Sequence, residues 1–447
     1  IRWSPMNHHA QSLLITGARL IDPATGTDTK TDIALEGGVV AAIGHGLPRG
    51  PAQRVIDARG RIVTPGLIDP HVHLREPGNE RAETIASGTA AAVSGGFTSL
   101  CCMPNTTPTL DNEVMVRFVY ERARTTGACR VFPVAAATKG RHGVELAELE
   151  LMARAGAVGF SDDGDCVASA QMMQRVLVTA KATGRCFMQH CQDHELSRGG
   201  VMHAGEVSAR LGLGGWPRAA EEVIIDRDVR LNAGVGCAYH VQHMSSGGSV
   251  EIIRRARAAG LAVTAEVTPH HLLLTCDAIE RSGYDTGYKM NPPLREAGDV
   301  ALLLEGVADG TITVLGTDHA PHTSESKLVP FDAATFGIVG LETALALYVK
   351  ALVEPGVIGW PRLIAMMSTE PAALCGLDRA TEGFTCGLGR LAVGGPADVT
   401  MIDPELAWTI GADDLVGQSR NSPFVGTTVC GRAVLTVVGG VVRHELA

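Results

Sequence analysis

Apolar residues recur along the chain in two rhythms. Between about residues 65 and 390, short runs rich in β-branched and apolar side chains alternate with longer segments whose apolar positions return every three or four residues. The short runs predict strands: GLIDPHV (66–72), FTSLCCM (97–103), RVFPVAA (130–136), AVGFS (157–161), RCFMQH (185–190), AYHVQH (238–243), LAVTAEV (261–267) and ITVLGTD (312–318). The longer segments predict helices, among them AETIASGTAAAVSGG (82–96), EVMVRFVYERARTTG (113–127), SVEIIRRARAAG (249–260) and DVALLLEGVADG (299–310). Each of these four ends in the glycine expected at or just past a helix C-terminus. Eight strand–helix units with parallel strands predict an α/β fold, a closed (β/α)8 TIM-type barrel over residues 65–391, with its chemistry at the C-terminal ends of the strands.

The two ends of the chain follow the other rhythm. Residues 12–64 and 392–447 carry short strand-like runs broken by glycine turns and no helical period, which predicts one small β-sandwich domain built from both termini. Residues 1–11 have no period at all and read as a flexible tail, with His8 and His9 in it.

Composition narrows the classes. The 447 residues are 45% hydrophobic, enough for a large core, yet no apolar run is long enough for a membrane span and no secretory signal pattern opens the chain. That predicts a cytoplasmic protein. Net charge is −10 with only 4% aromatic residues and no basic stripe, which argues against nucleic acid as a partner. Eleven cysteines without a CxxC pair read as thiols, with Cys101 and Cys102 in the core, and not as a disulfide framework or zinc finger.

Candidate chemistry gathers at the strand ends. Residues two apart on a strand face the same way, so His71 and His73 can both aim into the barrel mouth. His190, His243, Asp318 and the pair Asp162–Asp163 close four other predicted strands on the same face. Imidazoles and carboxylates suit zinc or a similar divalent ion, and the ligand count exceeds what one tetrahedral catalytic site uses, so two ions fit better. Adjacent strand residues point opposite ways, so only one of Asp162 and Asp163 can face the metals, and spacing does not say which. Arg75, two residues beyond His73, can grip a substrate carboxylate; its bland alternative is a surface ion pair with Glu76 or Glu80. His270 and His271 read as supporting residues, His240 and His319 as structural. Without further comparison these residues describe a metal-dependent hydrolase of a small anionic amide or ester.

The motifs DPHVHLREPG, MPNTTP, FSDDG, TAEVTPHHLLL, YKMNPPLR, GTDHAPH and FGIVGLET, in that order, resemble those of the long-chain bacterial dihydroorotases of the amidohydrolase superfamily. The resemblance implies reversible, zinc-dependent ring closure of N-carbamoyl-L-aspartate to dihydroorotate, a step of pyrimidine biosynthesis, with two Zn2+ ions per subunit. It implies His71, His73, His190 and His243 as metal ligands, Asp163 as the carboxylate between the ions, and Asp318 as ligand and catalytic base. It further implies Arg75, Asn105 and His322 around the substrate carboxylate, with Asn291 and the main chain of Phe336 and Gly337 facing substrate. A homodimer and a complex with aspartate transcarbamoylase are partner expectations of the same origin. The alternatives are another cyclic amidase, a hydantoinase or allantoinase, or a non-catalytic scaffold subunit. Hydantoinases bridge their metals with a carboxylated lysine on strand four, and GAVGFSDDG offers none; Lys139, after strand three, reads as an exposed loop residue. The polar stretch TSESKLVPFDAAT (323–335), with no clear helical or strand period, reads as a loop that closes over substrate.

Overall fold

A computed structural model describes residues 10–50 and 53–446. His8 and His9, and with them most of the expected tail, lie outside the described residues.

All eight expected barrel strands are present, as Leu67–Val72, Phe97–Cys102, Arg130–Ala135, Gly159–Phe160, Cys186–Gln189, Tyr239–Val241, Val263–Val267 and Val314–Leu315. They pair in sequence order and in parallel, so each needs a crossover helix to return the chain to the same end. Local chemistry sets where those helices start and stop. Thr84 accepts the N–H of Ser87 to open helix Ile85–Ser94, and Asn112 accepts from Val114 and Met115 to open Glu113–Thr126. Gly95 and Gly127 close the same two helices.

Strands eight and one meet without a regular ladder, and an isolated main-chain bridge together with the Asp69 side chain completes the closure. His73 N–H donates to His319 O at 2.8 Å. Thr317 donates twice to the Asp69 carboxylate, from N at 3.2 Å and from Oγ1 at 2.6 Å. Burial pushes the Asp69 carboxyl up to about 7, against the hydrogen bonds from Thr317 and His71 N that favour its charged form.

The chain ends combine in one eight-stranded sheet. Ile62–Pro65 pairs antiparallel with Val399–Thr409, Val63 opposite Met401, which sews the C-terminal strands onto the N-terminal ones. This sheet has its own core, including Leu13, Ile15, Leu35, Val63, Val399 and Leu435, apart from the barrel's. Arg130, at the start of barrel strand three, reaches across to Asp398 through Nε (2.6 Å) and Nη2 (3.0 Å), and both side chains are buried. Among the described residues no helix is long and apolar enough to cross a membrane. All eleven cysteines are free, and Cys101 and Cys102 are buried.

Asp398→Ala removes two hydrogen bonds and the paired charge from a buried guanidinium, so it is expected to lower stability by about 3–5 kcal/mol, read as a fall in the urea midpoint. Replacing Arg130 and Asp398 together by apolar residues of similar volume should recover most of that loss, and equal losses in the single and double variants would refute the pairing.

Candidate active site

Three of the side chains expected at the site sit on strained backbone. Arg75, His243 and Asp318 have φ of 58°, 31° and 50°, the left-handed region that side chains other than glycine seldom occupy. Such residues cost about 1–3 kcal/mol each and persist where the surroundings over-determine them. Each lies just beyond the end of its strand, where a sharp change of direction turns the side chain into the barrel mouth.

Asp163 lies at the centre of this mouth, 1% exposed. Its Oδ1 is 3.4 Å from His71 Nε2, 3.4 Å from His190 Nδ1 and 3.5 Å from His243 Nε2, and its Oδ2 is 3.4 Å from His73 Nε2. Asp318 Oδ1 lies 3.0 Å from His73 Nε2 and 3.6 Å from His71 Nε2. Asp162 turns the other way and accepts from Ala137 N, Thr138 N and Thr138 Oγ1. The geometry therefore separates the two aspartates that strand spacing left equivalent. Burial pushes both the Asp163 and Asp318 carboxyls up, but the surrounding histidines outweigh it and hold both well below the usual carboxylate range.

These side chains fit a metal ion. Three imidazoles hydrogen-bond outward through one nitrogen: His71 Nδ1 to Glu266 Oε1 (2.5 Å), His73 Nδ1 to Asn105 Oδ1 (2.8 Å) and His190 Nε2 to Gln192 Oε1 (2.9 Å). When those nitrogens carry the protons, the inward nitrogens present lone pairs toward carboxylate oxygens, a repulsive arrangement unless a cation sits between. His71 Nε2 and Asp163 Oδ1 are buried without a hydrogen-bond partner. Two groups satisfy the proximity a metal needs, His71–His73–Asp163 and Asp163–His190–His243, and Asp163 is common to both.

Several supporting residues escaped the sequence reading. Glu266, inside strand seven, accepts from His71 and from His243 N (3.1 Å) and meets His240 Nε2 at 3.1 Å. Burial opposes its charge, yet His71 and His240 hold its carboxyl well below the usual range. Arg141 donates to Asp163 O at 2.9 Å and pairs with Asp165. Asn421 fastens two loops, donating to Ala320 O and Gly337 O at 3.1 Å each. Only Glu266 left a sequence signal, a carboxylate in an otherwise apolar strand. Among the histidines without an expected ligand role, His271 bonds Thr268 and Pro292 O, and His319 accepts from Gly340 N. Burial lowers His270 to about 4, which keeps it neutral. Lys139 is a surface residue paired with Glu145.

Above the histidines opens a cavity of about 320 Å3. Eleven of the twelve expected site residues line it, and His71 lies beneath, fully buried. Arg75 makes no ion pair with Glu76 or Glu80; it donates from Nε to Pro321 O (3.2 Å) and from Nη2 to His322 Nε2 (3.4 Å). Burial lowers its guanidinium to about 10, still charged at neutral pH, while burial and Arg75 lower His322 to about 3, leaving it neutral. Asn105 spends its oxygen on His73, so its amide nitrogen is the atom that can face the cavity. Gly337 has φ 115°, and a Cβ there would lie 2.6 Å from Ala320 Cβ, so only glycine fits. The stretch 323–335 is not the featureless loop its sequence suggests, for it holds a short helix, Ser324–Lys327, and Lys327 is buried. A Lys that hydrogen-bonds main-chain carbonyls leaves no trace in an amphipathic pattern.

Comparison with known proteins follows the same lines. The dihydro-orotase-like family model matches residues 60–249. The dihydroorotase of Trichlorobacter lovleyi is 47% identical over 429 residues, 96% of this chain and 98% of that protein. That of Geobacter metallireducens is 46% identical over 434 residues, 97% and 100% of the two chains. Among solved structures, the L-hydantoinase (dihydropyrimidinase) of Arthrobacter aurescens superposes with a TM-score of 0.85 at 28% identity, covering 98% of this chain and 96% of its own.

Because Glu266 fixes the tautomer and orientation of His71, Glu266→Gln is expected to weaken metal affinity about 10–100-fold. A chelator competition assay reads this directly. An unchanged metal affinity would mean that the Glu266–His71 contact has no bearing on the centre.

Proposed function

The chain belongs to the dihydroorotase family, and from that premise we propose how its residues carry out reversible ring closure of N-carbamoyl-L-aspartate to dihydroorotate. It is a cyclic amide hydrolase, and the family places the reaction in pyrimidine biosynthesis. The observation that carries the residue assignment is the shared position of Asp163 between two groups of imidazoles. On this reading His71, His73, His190, His243, Asp163 and Asp318 would hold two zinc ions, Asp163 being the residue common to both groups of ligands. When bound, the ions would polarise the ring carbonyl and make a water acidic enough to attack it.

The chain's own groups do the rest. Arg75 presents a charged fork to the substrate carboxylate, with His322 and the Asn105 amide beside it. Asn291 and the main chain of Phe336 and Gly337 orient the ring. In ring opening, Asp318 accepts a proton from the attacking water and returns it to the departing amide nitrogen; in ring closure the same proton travels back. The surrounding histidines keep both carboxylates ionised against the effect of burial, and the buried site limits competing water. The scaffold reading fits poorly, since all six ligand-type side chains are retained. Folds like this one also serve hydantoinases, but the relatives at 46–47% identity are named dihydroorotases. The division into a barrel over 65–391 and a terminal domain from 12–64 and 392–447 is part of the same proposal. Cytoplasmic location rests on the composition of the chain, and a homodimer and a complex with aspartate transcarbamoylase rest on the family resemblance alone.

Metal analysis of the purified protein, with paired assays on dihydroorotate and hydantoin, tests this reading. Two equivalents of zinc and turnover of dihydroorotate are expected, and a preference for hydantoin would overturn it. Metal-stripped protein should regain activity with zinc alone, because Asp163 needs no carboxylation; a requirement for bicarbonate would contradict its role. Arg75→Lys keeps the charge and loses the fork, so kcat/KM for dihydroorotate should fall by about 1.5–3 kcal/mol. An uncharged ring such as dihydrouracil should lose far less, and equal losses on both would make Arg75 a structural residue.

A further inference from the structure

Phe336 and Gly337 can form one wall of the cavity only if the chain leading to them is held in place. Leu328 is 83% exposed, while Phe331 packs against Met202, Cys276 and Ile279. Two lysines add polar fastenings to this apolar one. Lys327, only 7% exposed, donates from Nζ to Thr335 O at 2.8 Å and to Thr286 O at 3.1 Å. Thr286 Oγ1 donates back to Lys327 O at 2.7 Å. Lys289, 2% exposed, donates to Asp332 O at 2.9 Å, and its Nζ stands 4.4 Å from the centre of the Phe336 ring. The Lys289 carbonyl in turn accepts from Gly337 N at 2.9 Å, and Trp216 meets the Phe336 ring edge-on at 6.2 Å.

Every hydrogen bond these two ammoniums make among the described residues goes to a main-chain carbonyl. Burying an ammonium this way is costly, and burial lowers Lys327 to about 7. Neither lysine has a part in the proton transfer or the grip on substrate described above. What the pair does accomplish is mechanical, since Lys327 ties the start of the segment 327–337 to Thr286 and the Lys289 ammonium ties its middle at Asp332, beside the main-chain bond from Gly337 N to Lys289 O.

We propose that Lys327 and Lys289 are positioning residues, a two-point clasp that fixes the Phe336–Gly337 main chain against the substrate cavity. The proposal rests on dihydroorotate binding in that cavity. Gly337 packs closely on Ala320, where an added Cβ would lie 2.6 Å from Ala320 Cβ, and Asn421 holds its carbonyl, so the clasp supplies the hold on the segment leading up to it. A misplacement on the order of 1 Å can cost about a hundredfold in rate. Methionine at either lysine keeps most of the apolar stem and loses every ammonium bond.

The test compares Lys327→Met, Lys289→Met and Lys327→Arg in the metal-loaded protein, by steady-state kinetics, metal content and cleavage by a glutamate-specific protease after the exposed Glu325. The Met variants should raise KM for dihydroorotate about tenfold with a smaller change in kcat, cleave several times faster, and retain full metal. Lys327→Arg, which can still donate to both carbonyls, should recover part of the KM. Unchanged KM and cleavage rates would overturn the clasp, as would a joint loss of kcat and metal that Arg fails to rescue. If Lys327→Met does not fold, Lys289→Met decides. A wild-type protein inactive on dihydroorotate would count against the functional reading, while the cleavage rates would still decide whether the clasp exists.

Discussion

An ionised carboxylate in a nearly dry pocket needs positive or polarisable neighbours, and Asp163 draws four imidazoles from three barrel strands for that purpose. Strand one supplies two of them, strands five and six one each. The distances hold only if strands separated by more than a hundred residues keep their register, so barrel closure and site geometry are one problem. The closure contacts lie in the same segments as the ligands: Asp69 binds Thr317, one residue from Asp318, and also accepts from His71 N. A loosened seam would move His71 and Asp318 together.

Around this centre, charge alternates outward. Glu266 faces His71 and His240, His71 faces Asp163, and Asp163 faces the remaining histidines. Each carboxylate is kept ionised by imidazoles, and His71, His73 and His190 are each oriented by a partner on the far side. Such a chain makes the site rigid at the cost of tolerance, because removing any member leaves its neighbour buried and uncompensated. The left-handed backbone at His243 and Asp318 is held by the same network, through Glu266 on His243 N and His73 on Asp318, which explains how local strain persists at both strand ends.

The barrel was legible because its eight strands are short apolar runs separated by helical periods, a pattern set by burial on both faces of a parallel sheet. The clustered histidines were legible because they end those runs, where a polar residue has no reason to sit unless it faces the barrel mouth. Asp163 was not separable from Asp162 by spacing, since a one-residue shift reverses the face, and only the three-dimensional bend after Phe160 makes the choice. Glu266, Arg141, Asn421 and Lys327 were missed for a common reason: each acts on a segment distant in sequence, three of them through main-chain carbonyls that carry no residue identity. A linear pattern records which face a residue prefers but not which remote backbone it fastens.

The close superposition on a hydantoinase shows that this scaffold accommodates more than one ring amidase, so the fold does not choose the substrate. The choice falls to what lines the cavity. In this protein the wall beside the paired histidines is cationic, with Arg75 charged and His322 kept neutral next to it. A neutral imidazole there adds a hydrogen-bonding group without a second positive charge that Arg75 would repel. On the proposed reading an anionic ring entering the cavity would meet one full charge with fixed dipoles around it, while an uncharged ring would leave that guanidinium buried without a counter-ion. Discrimination of this kind works by penalising the wrong ligand as much as by attracting the right one, and it comes from side chains at the strand ends and not from the barrel that carries them.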